Sequence, residues 1–215
     1  QRPVYVYNPS GADPKANPGA VLLRQIGVWN AQPVAEDAMA KLPANALLVF
    51  GKNQFSSAAW RRITSEQLEK GLQVLVLQQR PGTWQGLGFE VEDAMARRMW
   101  SVGEGIGATG GHSLEHWRGM PQCDKDTGSV NVQAKKRMAH WTHRHAVSVA
   151  PLRIPETLGF EPLVWGEFDM NYTGLVRYRL GEGAFYFCTL DFEGRAKDDP
   201  AARDVAVATL ETVCG

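Results

Sequence analysis

The segment 110–120, GGHSLEHWRGM, holds His112, Glu115 and His116 in the spacing H-x-x-E-H. On a helix this spacing turns two imidazoles to one side and leaves a carboxylate to act as base on metal-bound water, as in the inverted zinc hydrolases. His140, His143 and His145, in HWTHRHAV, complete the five histidines of the chain. A shared zinc site would draw on His112, His116, His140 and His143. However, Gly110-Gly111 and Arg118-Gly119 leave room for only one or two helical turns. A cluster of solvated loop histidines accounts for the same residues, and zinc needs three or four convergent ligands. The reading is therefore a chain without cofactor, with zinc as the alternative.

Other groups could do chemistry in different ways. Glu167 and Asp169 stand two apart on an expected strand and so share a face. That arrangement suits the acid–base pair of a glycosidase, and equally a solvated strand edge. Asp191 closes a later strand, and ligands of open α/β sheets gather at such carboxyl ends. The three cysteines, Cys123, Cys188 and Cys214, form no C-x-x-C pair. Their odd number argues against a disulfide framework and leaves one bridge plus one thiol as the other arrangement. None has a local sequence that supplies the lowered pKa and neighbouring base of a thiolate nucleophile. Of seven tryptophans, Trp84 lies in the Gly/Pro-rich RPGTWQGLG, and Trp117 and Trp141 lie further along. Loop indoles stack on sugar rings, or they cover the end of a sheet.

The elements that must position these groups are clearest at the two ends of the chain. PVYVY (3–7) reads as a strand, followed by Asn17 and Pro18 as N-cap and first residue of a helix over 18–28. EDAMAKL (36–42) reads as a short helix closed by Pro43, and ALLVFG (46–51) as a central strand covered on both faces. Thr64 and Gln67 form a capping box, with Ile63 and Leu68 as its staple and Gly71 as the helix stop before a strand over 72–78. Residues 80–145 read as a long irregular insert of loops and short helices. Regularity returns with strands over 161–168, 174–180 and 184–192, the last two joined as a hairpin by Gly181-Glu182-Gly183. Asp199-Pro200 then opens a closing helix. Strand–helix–strand units at this spacing predict a three-layer α/β fold with a doubly wound, mostly parallel sheet, plus a C-terminal hairpin and helix.

Composition fits one globular domain over 1–215, with 44% hydrophobic and 21% charged residues. A formal net charge of zero steers it toward neither nucleic acid nor an anionic membrane. No apolar run approaches the roughly 20 residues needed to span a bilayer. The opening QRPVYVYNP lacks a charged-then-apolar leader and starts almost on a strand. The expectation is a mature end after cleavage, or a domain of a longer protein.

Several stretches resemble a known family. LEKGLQVLVLQQ resembles the helix–Gly–strand element of class I glutamine-amidotransferase-like domains, which are flavodoxin-like. HSLEHWRG is similar to a Trp–Arg–Gly segment of one subgroup, and YRLGEGAFYFCTLDFEGRAKDDPAARDVAVATL resembles that subgroup's closing hairpin and helix. The likeness spans about 46–80 and 110–215. The subgroup occurs as an accessory domain of bacterial β-galactosidase and family-2-type glycoside hydrolases. The resemblance implies a non-catalytic module that supports architecture, oligomerisation or glycan binding beside other domains of the same polypeptide, in a secreted or periplasmic bacterial protein. It also makes SLEHWRG a structural segment in which Trp117 packs and Arg118 pairs. The amidotransferase chemistry does not carry over, because VFGKNQF and VLQQRPG place no Cys, Ser or Thr at the turn after a central strand. The candidate ligand-binding residues are Trp84, Trp117, Arg118, Trp141 and Asp191. Two other classes stand beside this reading: a self-sufficient hydrolase or zinc enzyme using the histidine-rich insert, and a protein–protein interaction domain.

Overall fold

The computed structural model describes residues 2–92, 99–101, 148, 150–166, 171–193, 195–197 and 200–215. Strands β1 (Val4–Tyr7), β2 (Gln32–Val34), β3 (Leu47–Phe50) and β4 (Gln73–Val76) alternate with helices in the first part. The helices are α1 (Pro18–Gln25), α2 (Ser57–Trp60), α3 (Ser65–Glu69) and α4 (Pro81–Gly86), with a 3-10 turn at Glu36–Lys41. Then come β5 (Met99–Ser101), β6 (Leu152–Arg153), β7 (Phe160–Gly166), β8 (Tyr172–Leu180), β9 (Gly183–Cys188) and helix α5 (Pro200–Cys214).

These strands join in one nine-stranded sheet of order β2-β1-β3-β4-β9-β8-β7-β5, with β6 paired to β8. From β2 to β9 every pairing is parallel. From β9 outward every pairing is antiparallel. The expected mostly parallel sheet is therefore corrected to a mixed one. Part of the reason is local: the two-residue Gly181-Glu182 turn, with Gly181 at φ 62°, reverses β8 directly into β9 and fixes that one pairing as antiparallel.

Alternation along the central strands sorts side chains to two faces. Leu47 and Val49 of β3, Leu75 of β4, and Tyr186 and Cys188 of β9 pack with Leu22 and Leu23 of α1 and Val205 of α5. Leu48, Phe50, Val74, Val76, Phe185 and Phe187 face the other way, against Met39, Ala59, Leu68 and Trp84. On that second face an aromatic series links the two halves of the sheet. It runs Tyr7–Phe50–Phe55–Trp60–Phe185–Phe187–Phe89–Phe160–Tyr178, with ring centroids 4.5–6.2 Å apart at each step.

Local signals hold well. The Asn17 side chain accepts from the Ala20 amide with Pro18 at the helix start. Thr64 and Gln67 complete both bonds of the capping box, and Gly71 follows with φ 114°. The stretch 36–42 closes as a 3-10 turn rather than an α-helix. Strand β2 was not expected. It is an edge strand whose Gln32 and Pro33 are exposed, and proline is tolerated at edges because no inner ladder needs its missing N–H. Within the segment read as irregular, α4 and β5 are regular. No described helix is long and apolar enough to cross a membrane.

The hairpin is wedged where β9 begins. A Cβ on Gly183 would fall onto the carbonyl oxygens of Leu68 and Leu72, so backbone occupies the space a side chain would need. Gly183→Ala should therefore cost about 1–3 kcal/mol through overpacking. Gly82→Ala places its methyl in open space within α4 and should leave stability unchanged or raise it by up to about 1 kcal/mol. Urea unfolding of the two variants beside the parent chain measures the difference.

Candidate carboxyl-edge site

The parallel half of the sheet ends β1, β3, β4 and β9 on one side, and a polar cluster collects there. After β3 the chain passes through Gly51, where a Cβ would strike the Gly19 backbone at the start of α1. Only a residue without a side chain lets α1 approach this closely. Lys52 comes next, then Asn53 at φ 55°, the one non-glycine residue with positive φ among the described residues. Asparagine tolerates that conformation better than most residues. The loop is strapped by Gln79, which accepts from the Phe55 amide at 3.1 Å and donates to the carbonyls of Gly51 and Leu77 at 2.9 and 2.6 Å. The Asn53 amide donates to the Gln78 carbonyl at 3.0 Å.

Asp191 reaches the same edge from the end of β9. Its side chain is 7% exposed and is flanked on both oxygens: Lys52 Nζ lies 2.9 Å from Oδ1, and Arg195 Nη2 lies 2.7 Å from Oδ2. Burial makes a lone carboxylate costly, and the two cations with their hydrogen bonds offset that cost. Glu193 is half-buried nearby. Burial pushes its carboxyl up to about 7; Lys52 opposes that rise and the Asp191 charge adds to it. Glu193 Oε2 and Gln78 Oε1 are buried without a hydrogen-bond partner. Both residues border a small pocket together with Leu22, Lys52, Leu77, Leu190 and Phe192.

This edge can hold a proton on Glu193 near neutrality and can present Lys52 to an acceptor. The positions that directly follow the central strands, Gly51 and Lys52 after β3 and Leu77 and Gln78 after β4, carry no thiol or hydroxyl. Cys188 is fully buried in β9, and desolvation pushes its thiol up to about 12. A protonated, enclosed thiol is a poor nucleophile. Cys188 and Cys214 are both free of disulfide bonds.

Of the residues singled out from the sequence, Asp191 is placed at this edge, in the ion-pair cluster. Trp84 is elsewhere and has no exposed surface. Its ring meets Phe89 and Phe187 edge-on, at 6.2 and 6.3 Å between centroids. That placement corrects its role as a stacking platform: Pro81 starts α4 directly after the β4 loop and turns the indole into the core. Trp117, Arg118, Trp141, Glu167 and Asp169 lie outside the described residues, as do His112, Glu115, His116, His140, His143, His145 and Cys123. Sequence reading missed Lys52, Gln78, Gln79, Glu193 and Arg195. The available signal was the polar residues that directly follow the apolar runs LLVF and QVLV, and the i, i+4 pair of Asp191 and Arg195.

A second concavity, of about 400 Å3, opens beside the antiparallel half. It is lined by Phe89, Glu90, Arg153, Ile154, Glu156 and Thr157 among others, and Arg153 Nη1 pairs with Glu90 Oε1 at 3.2 Å.

Because folding raises the Glu193 pKa, that group favours the folded state fully below about 4.5, and the contribution is lost as pH rises through about 7. Glu193→Gln removes the dependence. Urea midpoints taken at pH 5 and pH 8 should fall less in the variant than in the parent, with the variant relatively more stable at pH 8.

A scan of the sequence against protein-family models found no match, and a search of curated proteins found none. Solved structures do resemble the fold. An exo-β-1,4-mannosidase from Opitutaceae bacterium strain TAV5 matches 100% of this chain over 36% of its own, at 14% identity and a TM-score of 0.55. A β-galactosidase from Bacillus circulans sp. alkalophilus matches 99% of this chain over 30% of its own, at 10% identity and a TM-score of 0.54. This chain thus spans about a third of the length of those two hydrolases. A cytoplasmic protein from Salmonella typhimurium matches 99% of both chains, at 10% identity and a TM-score of 0.51. At these identities the likeness is one of fold: the chain shares its mixed α/β architecture with a part of that mannosidase and of that β-galactosidase.

Proposed function

We propose that the chain is a flavodoxin-like, glutamine-amidotransferase-like accessory domain of a bacterial carbohydrate-active enzyme, and that it does not itself catalyse. The observation that carries this reading is the carboxyl edge. Where an amidotransferase sets a thiol on the turn after a central strand, this chain sets Gly51 and Lys52, and Lys52 is engaged by Asp191. The fold shared with a mannosidase and a β-galactosidase supports the carbohydrate link, which is an inference from architecture. In this reading the domain braces other domains of the same polypeptide, joins copies of the parent protein, or holds glycan. The cleft around Arg153, Glu90 and Glu156 is the described surface suited to the last role, since charged forks and carboxylates hydrogen-bond vicinal hydroxyls.

One observation favours a hydrolase instead: Glu193 is held near neutrality, as a general acid or base would be. The purified chain should turn over neither nitrophenyl galactosides and mannosides nor glutamine. Calorimetry with galactose- and mannose-containing oligosaccharides should show binding that weakens at least tenfold in Arg153→Ala. Turnover that falls in Glu193→Gln would sink the accessory reading in favour of the hydrolase. Absence of both turnover and glycan binding would restrict the domain to bracing or assembly.

A further inference from the structure

The end of helix α5 lacks the side chains that usually close a helix. Its last turn, residues 211–214, carries no basic group, and Glu211 adds a negative charge where the free carbonyls already concentrate one. Thr209 and Thr212 return their hydroxyls to the carbonyls of Val205 and Ala208, at 2.8 Å each, a bond that slightly weakens a helix. Such an end is prone to fray. Yet Val213 is 1% exposed and belongs to the core. The missing cation comes from the other end of the sequence. Arg2 precedes β1, and its Nε donates to the Cys214 carbonyl at 3.4 Å. Its Nη1 donates to the carbonyls of Gly71 at 2.8 Å, Asn45 at 3.1 Å and Ala46 at 3.5 Å. One planar fork thus joins the end of α5 to the chain just before β3 and just before β4. The Leu47 amide donates to the Pro3 carbonyl at 2.9 Å and fixes the backbone beside Arg2.

We propose that Arg2 is a strap that caps α5 from outside the helix, and that withdrawing it releases the last turn of α5 while the sheet stays closed. The two sides of the strap differ in how far they depend on it. The Ala46 carbonyl also accepts from the Gln73 amide, and the Gly71 carbonyl from Gln73 Nε2, so the strand side keeps a donor without Arg2. The Cys214 carbonyl has no second donor among the described residues. The helix side is therefore the one that lets go. Displacement of the segment before β1 would free Val213 and Cys214 and leave β3 and β4 paired. This inference stands independently of the accessory-domain reading.

Amide hydrogen exchange read by NMR tests it. In the parent chain the Thr212 and Val213 amides should be protected, and exchange at the rate of a frayed end would overturn the proposal whether or not any variant folds. In Arg2→Ala their exchange should rise by about tenfold or more, the effect of losing one charge-assisted bond. Leu48 and Val74, in the central strands, should rise by a clearly smaller factor. An equal rise at all four amides would make Arg2 a contributor to global stability alone, and no rise at the last turn would make it idle; either result overturns the strap. Adding Glu211→Lys to Arg2→Ala places a cation in the turn itself and should recover about two- to fivefold of the lost protection. No recovery would show that Arg2 does not act as a capping charge.

Discussion

The ladder between β4 and β9 is the seam on which the rest of the molecule depends. It joins Gln73–Val76 to Ala184–Phe187, segments far apart in the chain, and it is where the parallel half meets the antiparallel half. Each side of the seam supplies apolar groups to both faces, so neither core is complete until the strands pair. The hairpin turn approaches the end of α3 so closely that Gly181 and Gly183 meet backbone of Glu69, Leu68 and Leu72. Outside this seam the Arg179–Glu161 pair is long and exposed and adds little, whereas the mostly buried Arg177 donates twice to Glu161 Oε2.

The carboxyl-edge cluster exists because of this seam. Lys52 and Asp191 are 139 residues apart, and they meet only when β9 lies beside β4 with its carboxyl end on the same side as that of β3. The cluster therefore reports correct assembly, and its ion pairs are short-range consequences of a long-range pairing. At this edge a deeply set carboxylate stands between two cations, with a second carboxyl that burial pushes up beside it.

Features written in adjacent residues were legible in the sequence. The Asn17 and Thr64 caps and the Gly181 turn each follow from chemistry within four residues, and the structure has them. The short edge strand β2 was not legible, since Pro33 and exposed neighbours give no alternation to detect. The Gly181 hairpin was legible and makes β8 antiparallel to β9, whereas the pairings of β5, β6 and β7 join residues that no local pattern links. Of the site, Asp191 was legible from its place at a strand end. Lys52 and Glu193 were not, because their proximity depends on pairing that no local pattern encodes. Trp84 misled because a Gly/Pro-rich sequence resembles an exposed loop, whereas here it is a short helix laid over the sheet.

Cys188 carries a consequence of a different kind. Its sulfur is fully enclosed in β9, one residue beyond the seam, and its thiol is held protonated by burial. A thiol-reactive probe can reach it only when β9 separates from its neighbours. With a probe that reacts faster than the sheet recloses, the rate of modification reports how often the sheet opens; with a slower probe it reports the fraction of time the sheet is open.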